Sequence, residues 1–128
     1  MNAIIPKFLL DLEDIIYLKD SGIKLEEGTQ IIGKYKVPCY KFYNISETEV
    51  FDELDRDRLY EAKSDSEKLS YATRMFSILF LRLRQVNAMT DKDQKLVAAC
   101  SLTAAVNSLA SINITYAKRF LPMLRSLS

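Results

Sequence analysis

Residues 65–86 carry the pattern that most restricts what this chain can become. Leu69, Ala72, Met75, Phe76, Leu79, Phe80, Leu83 and Val86 recur at three- and four-residue steps, which at about 100° per residue puts them on one broad helical face. A helix that long must bury the face against other helices or a sheet. Ser46 with Glu49 and Ser64 with Glu67 match the pairing that opens helices, in which a hydroxyl takes an amide proton and the acid reaches back to the cap. A charged helix carrying Val50, Phe51, Leu54 and Leu59 is therefore expected between them. Asn87–Thr90 interrupts the pattern, and Thr90 with Asp93 is read as the cap of a helix over 91–111. That helix is apolar nearly all round: Leu96, Val97, Cys100, Leu102, Val106 and Leu109 alternate with alanines. The composition predicts a central position in a bundle, where small residues let neighbours approach. A last helix, 114–126, is expected to bury Ala117, Phe120, Leu121, Leu124 and Leu127 and to kink at Pro122.

The first 45 residues read differently. Phe8, Leu9, Leu12, Ile15 and Ile16 follow helical spacing after Pro6, a residue suited to a first turn, and Ser21-Gly22 is a stop. An N-terminal helix over 1–22 follows from this. Residues 23–45 hold Gly28, Gly33 and the β-favouring Ile31, Ile32, Tyr35, Val37, Tyr40, Phe42 and Tyr43. Ile23–Leu25 and Thr29–Val37 are read as short strands turning at Glu26-Glu27-Gly28. Pro38 argues for an edge.

The expected fold is mainly α: one domain, 1–128, in which a bundle of three or four helices follows a short N-terminal β-hairpin-like element. Its 48% hydrophobic residues suffice for one core. That core is expected to contain Leu12, Ile16, Leu69, Met75, Phe76, Leu79, Phe80, Leu83, Leu96, Cys100, Leu102, Val106, Leu109, Phe120 and Leu124, with the 91–111 helix at its centre. No apolar run has the length of a membrane span, because Met75–Leu83 contains Arg82 and is flanked by Arg74 and Arg84. The apolar start runs directly into Asp11, Glu13 and Asp14, unlike a signal peptide. Cys39 and Cys100 both read as small buried hydrophobes, and a reducing cytoplasm is the expected compartment.

Histidine is absent, which removes the commonest acid–base group near neutral pH and the His-dependent nucleophile pairs. No phosphate-binding glycine loop and no Cys-x-x-Cys occurs. The chain is read as a non-enzyme without a cofactor. Glu47, Glu49, Asp52, Glu53, Asp55 and Asp57 form an acidic run that would suit a hard cation, but it lacks the spacing of a calcium loop and is read as a solvated face. A metal-dependent enzyme at this run is the weakest of the alternatives.

Two surfaces remain. The helix 65–86 carries a second strip, Tyr71, Arg74, Ile78, Leu81 and Gln85, turned away from its main face. With Tyr40 and Tyr43 of the tyrosine-rich β segment, this strip is the expected contact with a protein partner, such as a second copy of the chain. The second surface is basic. Residues 64–128 hold nine Lys/Arg against four Asp/Glu, whereas residues 1–63 hold nine against thirteen. Lys34, Lys36 and Lys41, interleaved with aromatic residues, together with Lys118, Arg119 and Arg125, support the alternative of a nucleic-acid-associated protein. The preferred expectation is a small interaction module of adaptor, chaperone-like or immunity type that associates with itself.

Overall fold

The computed structural model describes residues 2–58 and 64–127, with side chains left aside at 55–58 and 64–68. The chain is mainly α with a minor β element. In order it forms β1 (Ala3–Pro6), a single 3₁₀ turn (Lys7–Leu9), α1 (Leu12–Asp20), β2 (Leu25–Ile32), β3 (Tyr35–Phe42), α2 (Glu47–Arg58), α3 (Ser64–Asn87), α4 (Lys92–Ala110) and α5 (Ile114–Arg125). Among the described residues no helix is long and apolar enough to cross a membrane.

The N-terminus departs from the expected helix 1–22. Ala3–Pro6 is a strand, and α1 begins only after Asp11. The Asp11 carboxylate accepts the Asp14 amide at 2.9 Å while Asp14 accepts the Asp11 amide at 3.2 Å. This reciprocal cap fixes the start of the helix and rotates its inner face. Ile15 and Leu18 are buried, while Leu12 is 74% exposed and Ile16 50%, so neither of the latter belongs to the core. The expected stop is present: Gly22 takes φ +85 just past α1.

β2 and β3 form a hairpin, but its turn is at Gly33-Lys34, not at Glu26-Glu27-Gly28. β1 adds antiparallel to β3, giving the order β1-β3-β2. Pro38 thus lies in the middle strand. Its position explains why that is tolerated: β1 pairs with β3 only from Pro6 opposite Cys39 to Ala3 opposite Phe42. At Pro38 the strand has β2 alone as a neighbour, with Thr29 opposite, so no second ladder needs its missing amide.

α3 organises the rest, touching α2, α4, α5, β1 and β2. Its face Ala72, Phe76, Leu79, Phe80, Leu83 and Val86 is buried as the periodicity predicts, as are Val50, Phe51 and Leu54 of α2. Two expected core residues of α3 fall short: Leu69 is 51% exposed and Met75 is only half-buried. Phe76 stands at the centre of a ring cluster. Its centroid is 5.1 Å from Phe8, 5.3 Å from Tyr116 and 4.2 Å from Phe120, so one side chain ties the 3₁₀ turn, α3 and α5 together. Leu59 and Lys63 lie outside the described residues, and so do the side chains of the expected Ser64–Glu67 cap.

α4 is not the centre of the bundle. Leu102, Val106 and Leu109 are buried against α3 and α5, but Leu96 is 65% exposed, Val97 70%, and Cys100 is exposed. α4 is a ridge with one face packed. Its N-cap is Asp91, which accepts the amides of Asp93 and Gln94, and not Thr90. On α5, Phe120, Ala117 and Met123 are buried, whereas Leu121 stays 37% exposed and Leu124 is only half-buried.

Cys39 is buried at 2% exposure beneath this assembly. Burial pushes its thiol up to about 11, against smaller opposing effects of the Gln30 backbone, Arg84 and Lys7. The neutral thiol is favoured in the folded state, so the unfolded chain ionises first and stability falls as pH rises from about 9 toward 11. Cys39→Ala is expected to flatten that part of the stability–pH curve, measured by urea denaturation. In the native protein at neutral pH, a maleimide should label Cys100 and spare Cys39; rapid labelling of both would contradict the buried thiol.

Candidate functional site

A groove of about 470 Å³ opens where α2, α3 and α4 meet. α2 contributes Glu47, Thr48 and Phe51, α3 contributes Tyr71, Arg74, Met75, Ile78, Leu79 and Arg82, and α4 contributes Ala105 and Ser108. It continues along α3 and α4 into a second section of about 310 Å³, walled by Arg82, Gln85, Val86, Met89, Ala98, Ser101 and Leu102. Arg82 belongs to both sections.

Helical spacing builds the two walls. Tyr71, Met75, Ile78, Arg82 and Gln85 recur at alternating four- and three-residue steps on α3, with Met89 just past its end, and Ala98, Ser101, Ala105 and Ser108 do the same on α4. One wall is large and the other small, so the trough between two packed helices stays open. Ile78 is 44% exposed and Tyr71 55%, which leaves apolar area facing water beside the half-buried Met75 and buried Phe51.

The polar groups divide into engaged and open ones. Arg74 is held by the Asp52 carboxylate at 3.0 Å. Glu47, 8% exposed, accepts the Ile4 amide at 3.4 Å and so braces the groove's end against β1. Arg82 is exposed and has no ion-pair partner among the described residues.

The expected strip is thus gathered in part. Tyr71, Arg74 and Ile78 line the first section and Gln85 the second. Leu81 is half-buried and lines neither. Arg82 was not read as part of this strip, and the small residues of α4 were not singled out by the sequence reading, although their spacing matches the opposite wall. Tyr40 and Tyr43 lie away from the groove, on and just after β3. Lys7 sits 5.3 Å over the Tyr40 ring. Tyr43 carries Lys24 at 5.5 Å and Lys41 at 5.1 Å, and its hydroxyl donates to the Glu26 carboxylate, which holds the phenol above its ordinary range.

The basic residues are spread over the molecule. Lys34 is in the hairpin turn, 5.8 Å over Tyr35, and Lys36 is exposed on β3. Arg119 caps the Phe8 ring at 4.3 Å, Lys118 is exposed beside it, and Arg125 lies in the last turn of α5. A base stacking on Tyr35 or Tyr43 would have to displace a lysine already there. Arg82 opens into the groove, whereas Arg84 acts on Cys39 near the sheet. In the acidic run, Glu47 and Asp52 are engaged as described, and the side chains of Asp55 and Asp57 lie outside the described ones. Among the described residues, no three His, Cys, Asp or Glu are grouped as metal ligands. No family model, curated protein or solved structure matches the chain.

Proposed function

We propose that the chain is a non-enzymatic protein-interaction module, of adaptor, chaperone-like or immunity type, that acts in the reducing cytoplasm by taking an amphipathic helix of a partner into the α2–α3–α4 groove. The bundle formed by α2 to α5 serves as the scaffold. The observation that carries this reading is the pairing of an apolar floor with an exposed cation that has no ion-pair partner among the described residues: Ile78 and Tyr71 offer area, and Arg82 stands at the junction of the two sections. A helix laid along such a trough presents apolar anchors at three- and four-residue steps. An acidic residue on its flank would meet Arg82, and that contact selects the partner more than it strengthens binding.

Affinity capture from the native host tests this with three baits: the wild type, Ile78→Asp and Arg82→Glu. Both side chains are exposed, so the variants should match the wild type in thermal stability. A partner held by the wild type should be lost from both variants, with a weakening of roughly 30-fold or more at Ile78 if it is a hot spot. A protein retained by both variants, or the capture of none, would remove the groove as the binding site.

A further inference from the structure

We propose that the partner helix taken into the groove carries a basic residue, a lysine or an arginine, whose cation seats on Glu47. The proposal rests on the reading of the groove as a helix-binding site and names the chemistry of its occupant.

Glu47 is a buried acid that lines an apolar opening. It borders the section of about 470 Å³ together with Phe51, Met75 and Ile78, and only 8% of it is exposed. Moving a carboxylate out of water into such company is costly, and buried charges are as a rule paired. Glu47 forms no ion pair with a lysine or arginine among the described residues. Its Oε1 accepts the Ile4 amide at 3.4 Å, longer than the usual separation of about 2.9–3.0 Å. Its Oε2 has no hydrogen-bond partner among the described residues, yet it is not one of the fully covered atoms in that condition, which are Ser77 Oγ and one Arg84 guanidinium nitrogen. That oxygen therefore keeps contact with solvent, and the groove is the opening that Glu47 lines.

The two cations of the same section do not supply the missing charge. Arg74 is held by Asp52 at 3.0 Å, and Arg82 is exposed and forms no ion pair with Glu47. Glu47 also belongs to the first turn of α2, where the helix dipole favours an acid. The dipole accounts for an acid at this place but gives Oε2 no donor: the amide that Glu47 takes comes from β1, and the Glu49 amide goes to Ser46 Oγ at 3.2 Å.

A cation brought by the partner would complete the carboxylate through a charge-assisted hydrogen bond, stronger than a neutral one. The stem of a lysine or arginine packs on apolar surface while its head reaches an acid, and Phe51, Met75 and Ile78 offer that surface. Arg82 lines the same section, so the occupant helix presents a base and an acid in one stretch. A segment of a single sign would set a like charge against Glu47 or Arg82, and the two charges together select the partner.

Binding of n-octylammonium and n-octanol, followed by the backbone amide NMR signals of Phe51, Ile78 and Ser108, separates this proposal from the reading it rests on. The probes share an alkyl chain and differ in the charge of the head group. Octanol should move these signals by filling the apolar floor, and octylammonium should bind about tenfold more tightly through Glu47. Glu47→Gln keeps an oxygen for the Ile4 amide and removes the charge, so it should bind the two probes alike; Arg82→Gln should keep the preference for the ammonium. Equal binding of the two probes by the wild type, or a preference that survives Glu47→Gln, would overturn the proposal and leave the groove standing. A preference that arises only in Arg82→Gln would make Arg82 the partner of Glu47 and overturn it as well. Should Glu47→Gln fail to fold, the wild type and Arg82→Gln decide alone. If neither probe moves these signals, the groove fails as an apolar site and the proposal falls with it.

Discussion

Replacing Phe76 with alanine is expected to destabilise the protein by about 3–5 kcal/mol, the range for truncating a buried phenylalanine. Phe76 has no exposed surface, and its ring meets Phe8 of the 3₁₀ turn and Tyr116 and Phe120 of α5. The loss would therefore combine the transfer term with several aromatic contacts, each worth about 0.5–1.5 kcal/mol beyond area. A domain of ordinary stability has about 5–15 kcal/mol in total, so the variant should unfold at much lower urea or fail to accumulate. Phe76→Leu keeps most of the volume and should cost markedly less. Urea denaturation of both variants checks this. Equal costs would show that volume alone matters there, and a cost below about 1 kcal/mol for the alanine variant would contradict the cluster.

Gly33→Ala should cost about 2–4 kcal/mol although it removes nothing. Gly33 takes φ +57, where alanine is strained. An added Cβ would also stand 2.8 Å from both the Ser126 Cβ and its carbonyl oxygen. The hairpin tip is fastened at this point. Asn87 at the end of α3 accepts the Gly33 amide at 3.2 Å and donates to the Ile31 carbonyl at 3.3 Å, and Ser126 Oγ donates to the Ile32 carbonyl at 3.3 Å. A side chain at 33 has to push the tip off both helix ends. Ser126→Gly should recover part of the loss in the double variant, because it removes the side chain but leaves the carbonyl. A Gly33→Ala protein within about 0.5 kcal/mol of wild type, a shift typical of neutral surface changes, would refute the close approach.

The parts legible in the sequence were those in which local pattern and tertiary burial agree. On α3 the spacing of Ala72, Phe76, Leu79, Phe80 and Leu83 admits one periodicity, and the interior uses it. Residues 3–10 admit two, since Ile4, Ile5, Phe8 and Leu9 suit a strand followed by a turn as well as a helix. The deciding signal lay at Asp11 and Asp14, whose mutual capping starts α1 later than Pro6 does. The hairpin turn was misplaced because Gly28 and Gly33 compete as breakers. Only the contact with Asn87 and Ser126, distant in sequence, distinguishes them. α4 shows a different limit. Apolar composition on all sides reports that a helix is to be covered, and it does not report whether the cover comes from its own chain. In the groove, Tyr71, Arg74 and Ile78 were visible as a strip, but the opposite wall of alanines and serines was not, because small residues draw notice only beside something large.

Glu47 has a consequence beyond bracing the groove. A strand at the border of a sheet normally offers its amides to any extended peptide, the route by which sheets grow into fibres. On the β1 side the outward amide of Ile4 is already taken by the Glu47 carboxylate, and on the β2 side Glu26 and Glu27 stand exposed along the border. Strand-by-strand polymerisation thus meets an occupied amide on one flank and, on the other, charged side chains already engaged with Lys7 and Tyr43.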